Sequence, residues 1–325
     1  MCIRLKLSRR LVQCSCFLKQ GNHTFDKSNL STLRSAEYFI QESRGQYHAT
    51  HSRRDPPASP RSRSHKPRLR ILKRNRGKIY LMQNDLLLLS SSAVFGMKPL
   101  EYALDVVKEF LDGESNLLFV PYALANYDSY TIRVQNMLAP LGVAVEGIHT
   151  AVNPRQVVET ARVLFVGGGN SFRLLKALQE HDLLAIVRKR VEAGELRYMG
   201  SSAGTNMACP SLRTTNDMPI VQPSSFGAFG LIPFQINPHY LDPDPHSHHQ
   251  GETRADRIEQ FLEENDVPVL GMREGCWLRR RASALILGGI TGARLFTRKA
   301  EPQEIAPGTD LSWLLETRAL FDWRG

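Results

Sequence analysis

The chain has 325 residues, 42% of them hydrophobic, and a formal net charge of +10 at pH 7. Residues 1–81 carry 19 of the 42 Lys and Arg residues and only 4 of the 32 Asp and Glu residues, so the rest of the chain is mildly acidic. The mildly acidic balance of the chain after residue 81 argues against a nucleic-acid-binding protein. No run of residues approaches the roughly 18 apolar residues that a membrane span needs.

The basic N-terminal quarter predicts a solvated, disordered extension over residues 1–81. Pro, Ser and Arg dominate residues 50–78, where hydrophobic periodicity is absent. Such a segment cannot bury enough surface to offset the entropy lost on ordering. We expect the folded domain to span residues 82–325, with Met82 as a candidate for the true start. A transit peptide and an RNA-binding tail are the less favoured alternatives.

Short apolar runs alternate with amphipathic stretches from Asp85 onward. Strands are predicted at 86–89, 117–121, 143–148, 163–166, 196–199, 269–272 and 284–287. Helices are predicted near 100–111, 130–138, 154–161, 172–193 and 252–264. Continuous apolar strands separated by helices indicate one α/β domain, whose mostly parallel sheet is covered by helices on both faces.

A glycine-rich loop follows the strand at 163–166. It reads Val166-Gly167-Gly168-Gly169-Asn170-Ser171 and precedes a predicted helix. The loop lacks the Lys-Ser/Thr of a phosphate-binding P-loop and the spacing of a dinucleotide-binding loop. We predict that it supplies the Gly169 N–H to an oxyanion hole, with the Ala203 N–H as the second donor. The alternative is an ordinary tight turn.

The pentapeptide Gly200-Ser201-Ser202-Ala203-Gly204 follows a predicted strand and precedes a helix start. It has the G-x-S-x-G form of a nucleophile elbow, in which small residues permit a sharp turn that exposes one serine hydroxyl. The glycine frame favours Ser202 over its neighbour Ser201 as the nucleophile. A strand-to-helix turn without catalytic function is the alternative.

A nucleophilic serine needs a base, and that base needs an orienting group. His239 ends the apolar stretch 234–238, where a proline restrains the chain, so it is the candidate base. Asp217 and Glu274 both lie on loop-like segments beside strands. Either carboxylate could orient the imidazole, and the spacing does not choose between them.

Neither the cysteines nor the histidines predict a metal site. The five cysteines are an odd number without zinc-finger spacing, which indicates a reducing compartment without a disulfide framework. Cys14-x-Cys16 is at most half of a ligand set. The cluster of His246, His248 and His249 lies in a Pro-rich loop, which rarely fixes ligand geometry.

Residues 82–325 closely resemble the peptidase E family, the α-aspartyl dipeptidases among the serine peptidases. The resemblance implies a flavodoxin-like, glutamine-amidotransferase-like α/β fold. Residues 1–81 have no counterpart in the family pattern. The segments that carry the resemblance occur in order along the domain: 166–170 (VGGGN), 200–206 (GSSAGTN), 208–210 (ACP), 213–221 (RTTNDMPIV), 235–239 (QINPH) and 251–254 (GETR).

The resemblance implies Ser202 as the nucleophile, His239 as the base and Asp217 as the acid that orients it, while Glu274 stays open as the alternative acid. It also implies substrates with an N-terminal aspartate, no metal or cofactor, and a cytoplasmic enzyme. The chain would act as a monomer or homodimer on small Asp-Xaa peptides, without membrane or nucleic-acid partners.

Recognition of an aspartate side chain requires a cation. Arg254 is our candidate, because a guanidinium can bind a carboxylate through two parallel hydrogen bonds. Asn170 is a further candidate substrate-binding residue. Many members of the family have a tryptophan where this chain has Ser201, and we expect the smaller side chain to widen the pocket.

Three other functions remain open from the sequence. A cyanophycinase-like peptidase would cleave β-aspartyl rather than α-aspartyl bonds. A nucleic-acid-binding protein would use the basic tail. A binding module without catalysis is disfavoured, because the serine, the histidine and both acids are present.

Overall fold

The computed structural model describes residues 84–246, 248 and 250–323. The predicted extension over residues 1–81, the candidate start at Met82, the Cys14-x-Cys16 pair and His249 lie outside these residues. The predicted domain boundary therefore stays a prediction. Within the described residues, none of the helices is both long and apolar enough to cross a lipid bilayer.

The larger of two sheets has seven strands, and its first five neighbours run parallel. Strands β8 and β9 extend it antiparallel beyond β1. In spatial order the strands are β3 (Ala144–Gly147), β2 (Asn116–Val120), β4 (Val163–Val166), β5 (Arg197–Ser201), β1 (Asp85–Leu89), β8 (Cys276–Arg281) and β9 (Ala284–Gly289).

Helices join these strands, as parallel pairing requires. Three of them begin at an asparagine whose side chain accepts a hydrogen bond from the backbone, which satisfies one of the free N–H groups of the first turn. The helices are α1 (Leu104–Leu111), α2 (Tyr127–Leu138), α3 (Pro154–Thr160), α4 (Ser171–Glu180), α5 (Leu183–Glu192), α6 (Ala203–Ala208) and α7 (Arg254–Glu264). Short 3-10 turns occupy Glu101–Ala103, Ala139–Leu141, Ile148–Thr150 and Ser312–Glu316.

The burial of strand β1 explains its run of four leucines. Leu86 and Leu88 pack into the core on one face of the larger sheet, whereas Leu87 and Leu89 pack into the core on the other. All four side chains are fully buried. A strand buried on both faces cannot alternate with polar residues. The predicted α/β fold, with a mostly parallel sheet covered on both faces, is confirmed.

Two predictions about the elements were wrong. The strand at 269–272 was assigned to the main sheet but belongs to a smaller four-stranded sheet, ordered β11 (Gln303–Ile305), β10 (Ala293–Phe296), β7 (Val269–Met272) and β6 (Gln235–Pro238). The helix predicted at 172–193 is two helices, because Asp182 has a left-handed backbone with φ of 53° that ends one helical path and starts another.

Candidate active site

The predicted elbow connects β5 directly to α6. Ser202 has φ of 53° and ψ of −110°, a strained conformation for a residue with a side chain. A Cβ at Gly200 would collide with the carbonyl oxygen of Gly204, and a Cβ at Gly204 would collide with that of Val166. Both glycines of the motif are therefore required by close backbone approach, and the turn holds the Ser202 hydroxyl at the carboxyl edge of the larger sheet.

His239 lies at the end of β6, in the smaller sheet, and faces the elbow. Its Nε2 is 2.9 Å from the Oγ of Ser202. Its backbone is left-handed, with φ of 52°. The N–H of His239 donates to the Oγ of Ser90 at 3.0 Å, and the Ser90 hydroxyl in turn donates to the carbonyl oxygen of Met272 at 2.8 Å. The bond from the His239 N–H to Ser90 fixes the backbone position from which the imidazole reaches Ser202.

Glu274 is the carboxylate that contacts the base. Its Oε1 is 2.6 Å from the Nδ1 of His239. Glu274 lies in a tight turn in which the Cys276 N–H donates to the carbonyl oxygen of Arg273 at 3.3 Å, and Gly275 has φ of 88°. Glycine suits the third position of such a turn. Thr291 anchors the turn through a 2.6 Å bond from its hydroxyl to the Glu274 carbonyl oxygen.

Asp217 belongs to a different network, contrary to the role that the resemblance implied for it. Its Oδ2 accepts hydrogen bonds from the backbone N–H of Ser171 at 2.7 Å, from the hydroxyl of Ser171 at 2.6 Å and from the hydroxyl of Thr215 at 3.2 Å. Both ring nitrogens of His239 already have partners in Ser202 and Glu274. The geometry therefore brings Glu274, and not Asp217, to the histidine.

The glycine-rich loop lies beside the nucleophile. A Cβ built on Gly168 would come within 3.0 Å of the Cβ of Ser202 and 3.6 Å of its Oγ. The N–H groups of Gly169 and Ala203 donate no hydrogen bond to any described residue, whereas Asn170 N–H donates to the carbonyl oxygen of Ala123 at 3.0 Å. Two uncommitted amides thus flank Ser202, as an oxyanion hole requires.

Arg254 and Asn170 were the predicted substrate-binding residues. Arg254 is the first residue of α7, is partly buried, and makes no ion pair or side-chain hydrogen bond with any residue in the described ranges. The side chain of Asn170 is engaged in the fold: its Oδ1 caps α4 by accepting from Arg173 N–H at 3.0 Å, and its Nδ2 donates to the carbonyl oxygen of Met218 at 2.8 Å. One Nδ2 proton remains for a ligand.

Ser201 is the last residue of β5, and its effect on the width of the pocket stays a prediction. Its side chain is only 1% exposed and points into the fold, because neighbouring residues of β5 face opposite sides of the sheet. Its hydroxyl has no hydrogen-bond partner among the described residues.

Within the described part of the chain, neither the cysteines nor the acidic and histidine side chains indicate thiol or metal chemistry. Cys209 and Cys276 are free and buried, and burial raises the pKa of each thiol to about 12. No group of three or more His, Cys, Asp and Glu side chains among the described residues is arranged to hold a metal ion. His246 and His248 are described, but they form no such group.

Sequence reasoning missed a salt bridge that braces the site. Arg273, immediately before Glu274, donates from Nε to Oδ2 of Asp242 at 2.6 Å and from Nη2 to Oδ1 at 2.8 Å. Asp242 follows His239 by three residues, so this pair ties the base segment to the acid segment. Ser90 was missed as well. Neither the Arg273–Asp242 salt bridge nor the role of Ser90 could be predicted, because each contact joins segments that are far apart in the sequence. Arg273 is nevertheless adjacent to Glu274, a predicted site residue.

We expect Asp242→Asn to lower kcat/KM by up to about tenfold. The substitution removes the salt bridge between the two segments, so His239 and Glu274 are positioned less precisely. Hydrogen bonds from Arg273 hold the pKa of Asp242 below its usual value, although partial burial opposes this. The stabilisation is therefore present above about pH 4, the pKa of an unfolded aspartate, and is lost as the pH falls further through the lower folded-state value.

Urea unfolding of the wild type and of Asp242→Asn, at pH 7 and at lower pH, would measure the contribution of the salt bridge to the free energy of unfolding. The variant should be less stable by about 0.5 kcal/mol at pH 7, a small value because the pair is partly exposed and screened by solvent, and the difference should shrink toward pH 3. Asp244→Asn is the matched control, since Asp244 makes no ion pair with a described residue. A difference that grows as the pH falls would contradict the assignment.

A serine on a strained strand-to-helix turn, hydrogen-bonded to a histidine that is paired with a glutamate, defines a serine hydrolase built on an α/β sheet. The family model for peptidase family S51 matches residues 86–287 of this sequence. The chain belongs to peptidase family S51, and the resemblance stated from the sequence is confirmed.

Known relatives agree with this placement. The chain is 58% identical to peptidase E of Streptomyces coelicolor over 238 residues, which cover 73% of this chain and 98% of the relative. It is 47% identical over 234 residues to a Drosophila melanogaster protein named as an alpha-aspartyl dipeptidase, with 71% and 98% of the two chains covered. A crystal structure of a peptidase from an acI-B1 actinobacterium shares the fold, with a TM-score of 0.51, 15% identity, and coverage of 71% and 99%.

Proposed function

We propose that this chain is a serine dipeptidase that hydrolyses α-peptide bonds after an N-terminal aspartate. The observation that carries the proposal is the hydrogen-bonded line from Ser202 Oγ through His239 to Glu274, with distances of 2.9 and 2.6 Å. The names of the relatives, peptidase E and alpha-aspartyl dipeptidase, support the substrate class. The site then needs a group that recognises the aspartate side chain.

In the acylation step, Ser202 Oγ attacks the carbonyl carbon of the aspartyl residue while His239 Nε2 takes the hydroxyl proton. The carbonyl π electrons move to oxygen, and the Gly169 and Ala203 N–H groups stabilise that oxyanion. One such donor is worth about 10²–10³ in rate. Glu274 keeps the Nδ1 proton in place and stabilises the imidazolium.

Collapse of the tetrahedral intermediate breaks the C–N bond, and His239 gives its proton to the leaving amino acid. An aspartyl ester of Ser202 remains. In deacylation, His239 takes a proton from water, the hydroxyl oxygen adds to the ester carbonyl, and the Ser202 oxygen leaves with the proton returned. Free aspartate is released. Side chains and amides of this chain carry every step, so the proposal requires no metal or cofactor.

Arg254 is the proposed partner of the substrate β-carboxylate. A guanidinium can bind both oxygens of a carboxylate at once. Burial lowers the pKa of Arg254, the nearby Arg257 lowers it further, and Asp217 opposes this. A partly buried cation without an ion-pair partner among the described residues is poorly compensated in the free enzyme, so an anionic side chain stabilises it on binding.

Arg254→Gln should lower kcat/KM for Asp-Leu by about 10²–10³, and Arg254→Lys should lower it less, because a single ammonium keeps the charge without the two-point geometry. Steady-state kinetics of both variants would measure this. Arg257→Gln is the matched control: Arg257 lies one turn further along α7 and pairs with Glu252 at the surface, so it should retain activity. Equal losses at the two positions would contradict the assignment.

A dipeptide panel against the purified full chain tests the proposed function. Asp-Leu should be cleaved, whereas Asn-Leu, Glu-Leu and β-Asp-Leu should be poor substrates. Preferential cleavage of the β-aspartyl peptide would indicate the cyanophycinase-like alternative, which no feature of the described residues favours. The nucleic-acid alternative rests on residues outside the described ranges. We expect the enzyme to act in the cytoplasm, as a monomer or homodimer.

A further inference from the structure

The backbone amides of the glycine-rich loop do not all have the same partners. Gly167 N–H donates to the carbonyl oxygen of Val120 at 3.2 Å, and Asn170 N–H donates to that of Ala123 at 3.0 Å. Val120 ends β2, and Ala123 follows it closely. These two bonds anchor both ends of the loop to the segment after β2. The two amides between them have no backbone partner among the described residues.

Tyr130, on α2, lies directly against this loop. A Cβ built on Gly167 would be 2.5 Å from the Oη of Tyr130, 2.8 Å from its Cζ and 2.9 Å from the Cζ of Phe119. The phenol can therefore lie this close to the backbone only because residue 167 is a glycine. Burial raises the pKa of Tyr130, whereas a hydrogen bond from the Gly168 N–H and the guanidinium of Arg133 oppose the rise. The phenol oxygen is thus the partner of one of the two remaining amides.

The ring of Tyr130 is fixed by its own contacts. It packs edge-to-face against Phe119, with the ring centroids 5.0 Å apart and an interplanar angle of 89°. The guanidinium carbon of Arg133 lies 5.1 Å from the centroid of the same ring. A hydroxyl on a ring that is locked by packing keeps a defined position, as a group that supports a catalytic loop must do.

The residue that follows Gly167 contacts the nucleophile. A Cβ on Gly168 would come within 3.0 Å of the Cβ of Ser202. The next residue, Gly169, has φ of 130° and the uncommitted N–H that we assign to the oxyanion hole. Three successive glycines therefore contact Tyr130, contact Ser202 and present the free amide, so a displacement at the first is transmitted to the third.

We infer that Tyr130 is a positioning residue for the oxyanion hole, because its hydroxyl accepts the Gly168 N–H and thereby keeps the Gly169 N–H directed at the oxygen of the attacked carbonyl. This inference rests on the proposed function and extends it to a residue that acts through the loop. Oxyanion donors are effective when they are preorganised where charge develops. Without the phenol oxygen, the unpaired Gly168 peptide can rotate toward water, which turns the following N–H away.

Tyr130→Phe tests the inference, because it removes the hydroxyl and keeps the ring. It should lower kcat and kcat/KM for Asp-Leu by the same factor, about tenfold, with KM unchanged within about twofold, since the oxyanion exists only during the reaction. The loss should be smaller than the roughly 10²–10³ of a deleted donor, because the Gly169 N–H is misaligned but still present. Steady-state kinetics of the purified full chain would measure these constants.

Tyr122→Phe is the matched control. Tyr122 follows β2, is 1% exposed, and has a hydroxyl without a hydrogen-bond partner among the described residues. Its removal should leave kcat within about twofold of the wild type, because loss of an unsatisfied hydroxyl is nearly neutral. Equal effects of the two tyrosine variants, or an increase of KM alone in Tyr130→Phe, would overturn the inference.

An aldehyde analogue of aspartate, with –CHO in place of the α-carboxyl group, separates a role in the oxyanion hole from a general loosening of the site. Ser202 Oγ bonds to the aldehyde carbon, His239 takes the hydroxyl proton, and the carbonyl π electrons move to the oxygen, which then occupies the hole. The corresponding alcohol cannot form this adduct. Tyr130→Phe should weaken inhibition by the aldehyde about tenfold and inhibition by the alcohol less than about twofold. Equal weakening of both would reduce Tyr130 to a structural residue and overturn the inference.

The choice of substrate distinguishes failure of this inference from failure of the proposed function. A wild type that cleaves β-Asp-Leu and not Asp-Leu would refute the proposed function. The loss in Tyr130→Phe should then appear on the β-aspartyl peptide, since both acyl transfers pass through an oxyanion. A wild type that cleaves Asp-Leu, together with a Tyr130→Phe variant of equal kcat, would refute the inference and keep the proposed function.

Discussion

Ser202→Ala should abolish the hydrolysis of Asp-Leu, with a loss on the order of 10⁶-fold in kcat, because no other group can form the acyl intermediate. Residual turnover would come from substrate positioning and the oxyanion donors alone. The variant should stay folded, since alanine fits the elbow and the Ser202 N–H still donates to the carbonyl oxygen of Leu89 at 3.1 Å. Single-turnover assays with purified protein would measure the loss.

The adjacent serine provides the control for this experiment. Ser201→Ala changes a side chain of the same type in the same turn, but one that is 1% exposed and has no hydrogen-bond partner among the described residues. Loss of an unsatisfied buried hydroxyl is neutral or stabilising. Activity should therefore be retained, and the thermal unfolding midpoint should be unchanged or higher. Full activity of Ser202→Ala, or its loss in Ser201→Ala, would refute Ser202 as the nucleophile.

Glu274→Gln should lower kcat by about 10²–10³, because the neutral amide can still contact His239 but no longer stabilises the imidazolium that forms during acylation. The side chain of Glu274 is 50% exposed, so solvent screens its charge and the loss should be smaller than at a buried acid. The loss should appear in kcat rather than in KM, since Glu274 acts on the chemical step.

Glu304→Gln is the matched control for this variant. Glu304 pairs with the same Arg273 that precedes Glu274, at 2.9 Å, yet does not contact the histidine. It should keep activity within about threefold, as expected of an exposed ion pair. Near-normal activity of Glu274→Gln, combined with a large loss of kcat in Asp217→Asn, would return the role of the orienting acid to Asp217.

Local sequence features were sufficient to single out Ser202 and His239 as the candidate nucleophile and base. The elbow depends on two glycines within five residues, whose need follows from close backbone approach. The prediction of His239 depended on its position directly after Pro238, at the end of the stretch 234–238. Both signals are short in sequence and strong in chemistry, and the structure has Ser202 and His239 2.9 Å apart.

The choice between Asp217 and Glu274 could not be made from sequence, because it depends on which loop crosses the cleft. Both acids lie on loop-like segments beside strands, and only the pairing of β7 with β6 brings Glu274 to the end of the histidine strand. The smaller sheet could not be predicted from the sequence for the same reason. Its strands are three or four residues long, and long-range pairing, which has no local pattern, decides the sheet to which each belongs.

The site lies where two sheets meet. Ser202 follows a strand of the larger sheet, His239 follows a strand of the smaller one, and Glu274 occupies the turn between β7 and β8, where the chain passes from the smaller sheet to the larger. Each hydrophobic core can keep its packing while loops at this junction change. Catalytic alignment and fold stability are therefore separable traits in this chain, and substitutions at the junction can alter turnover or substrate choice with little effect on stability.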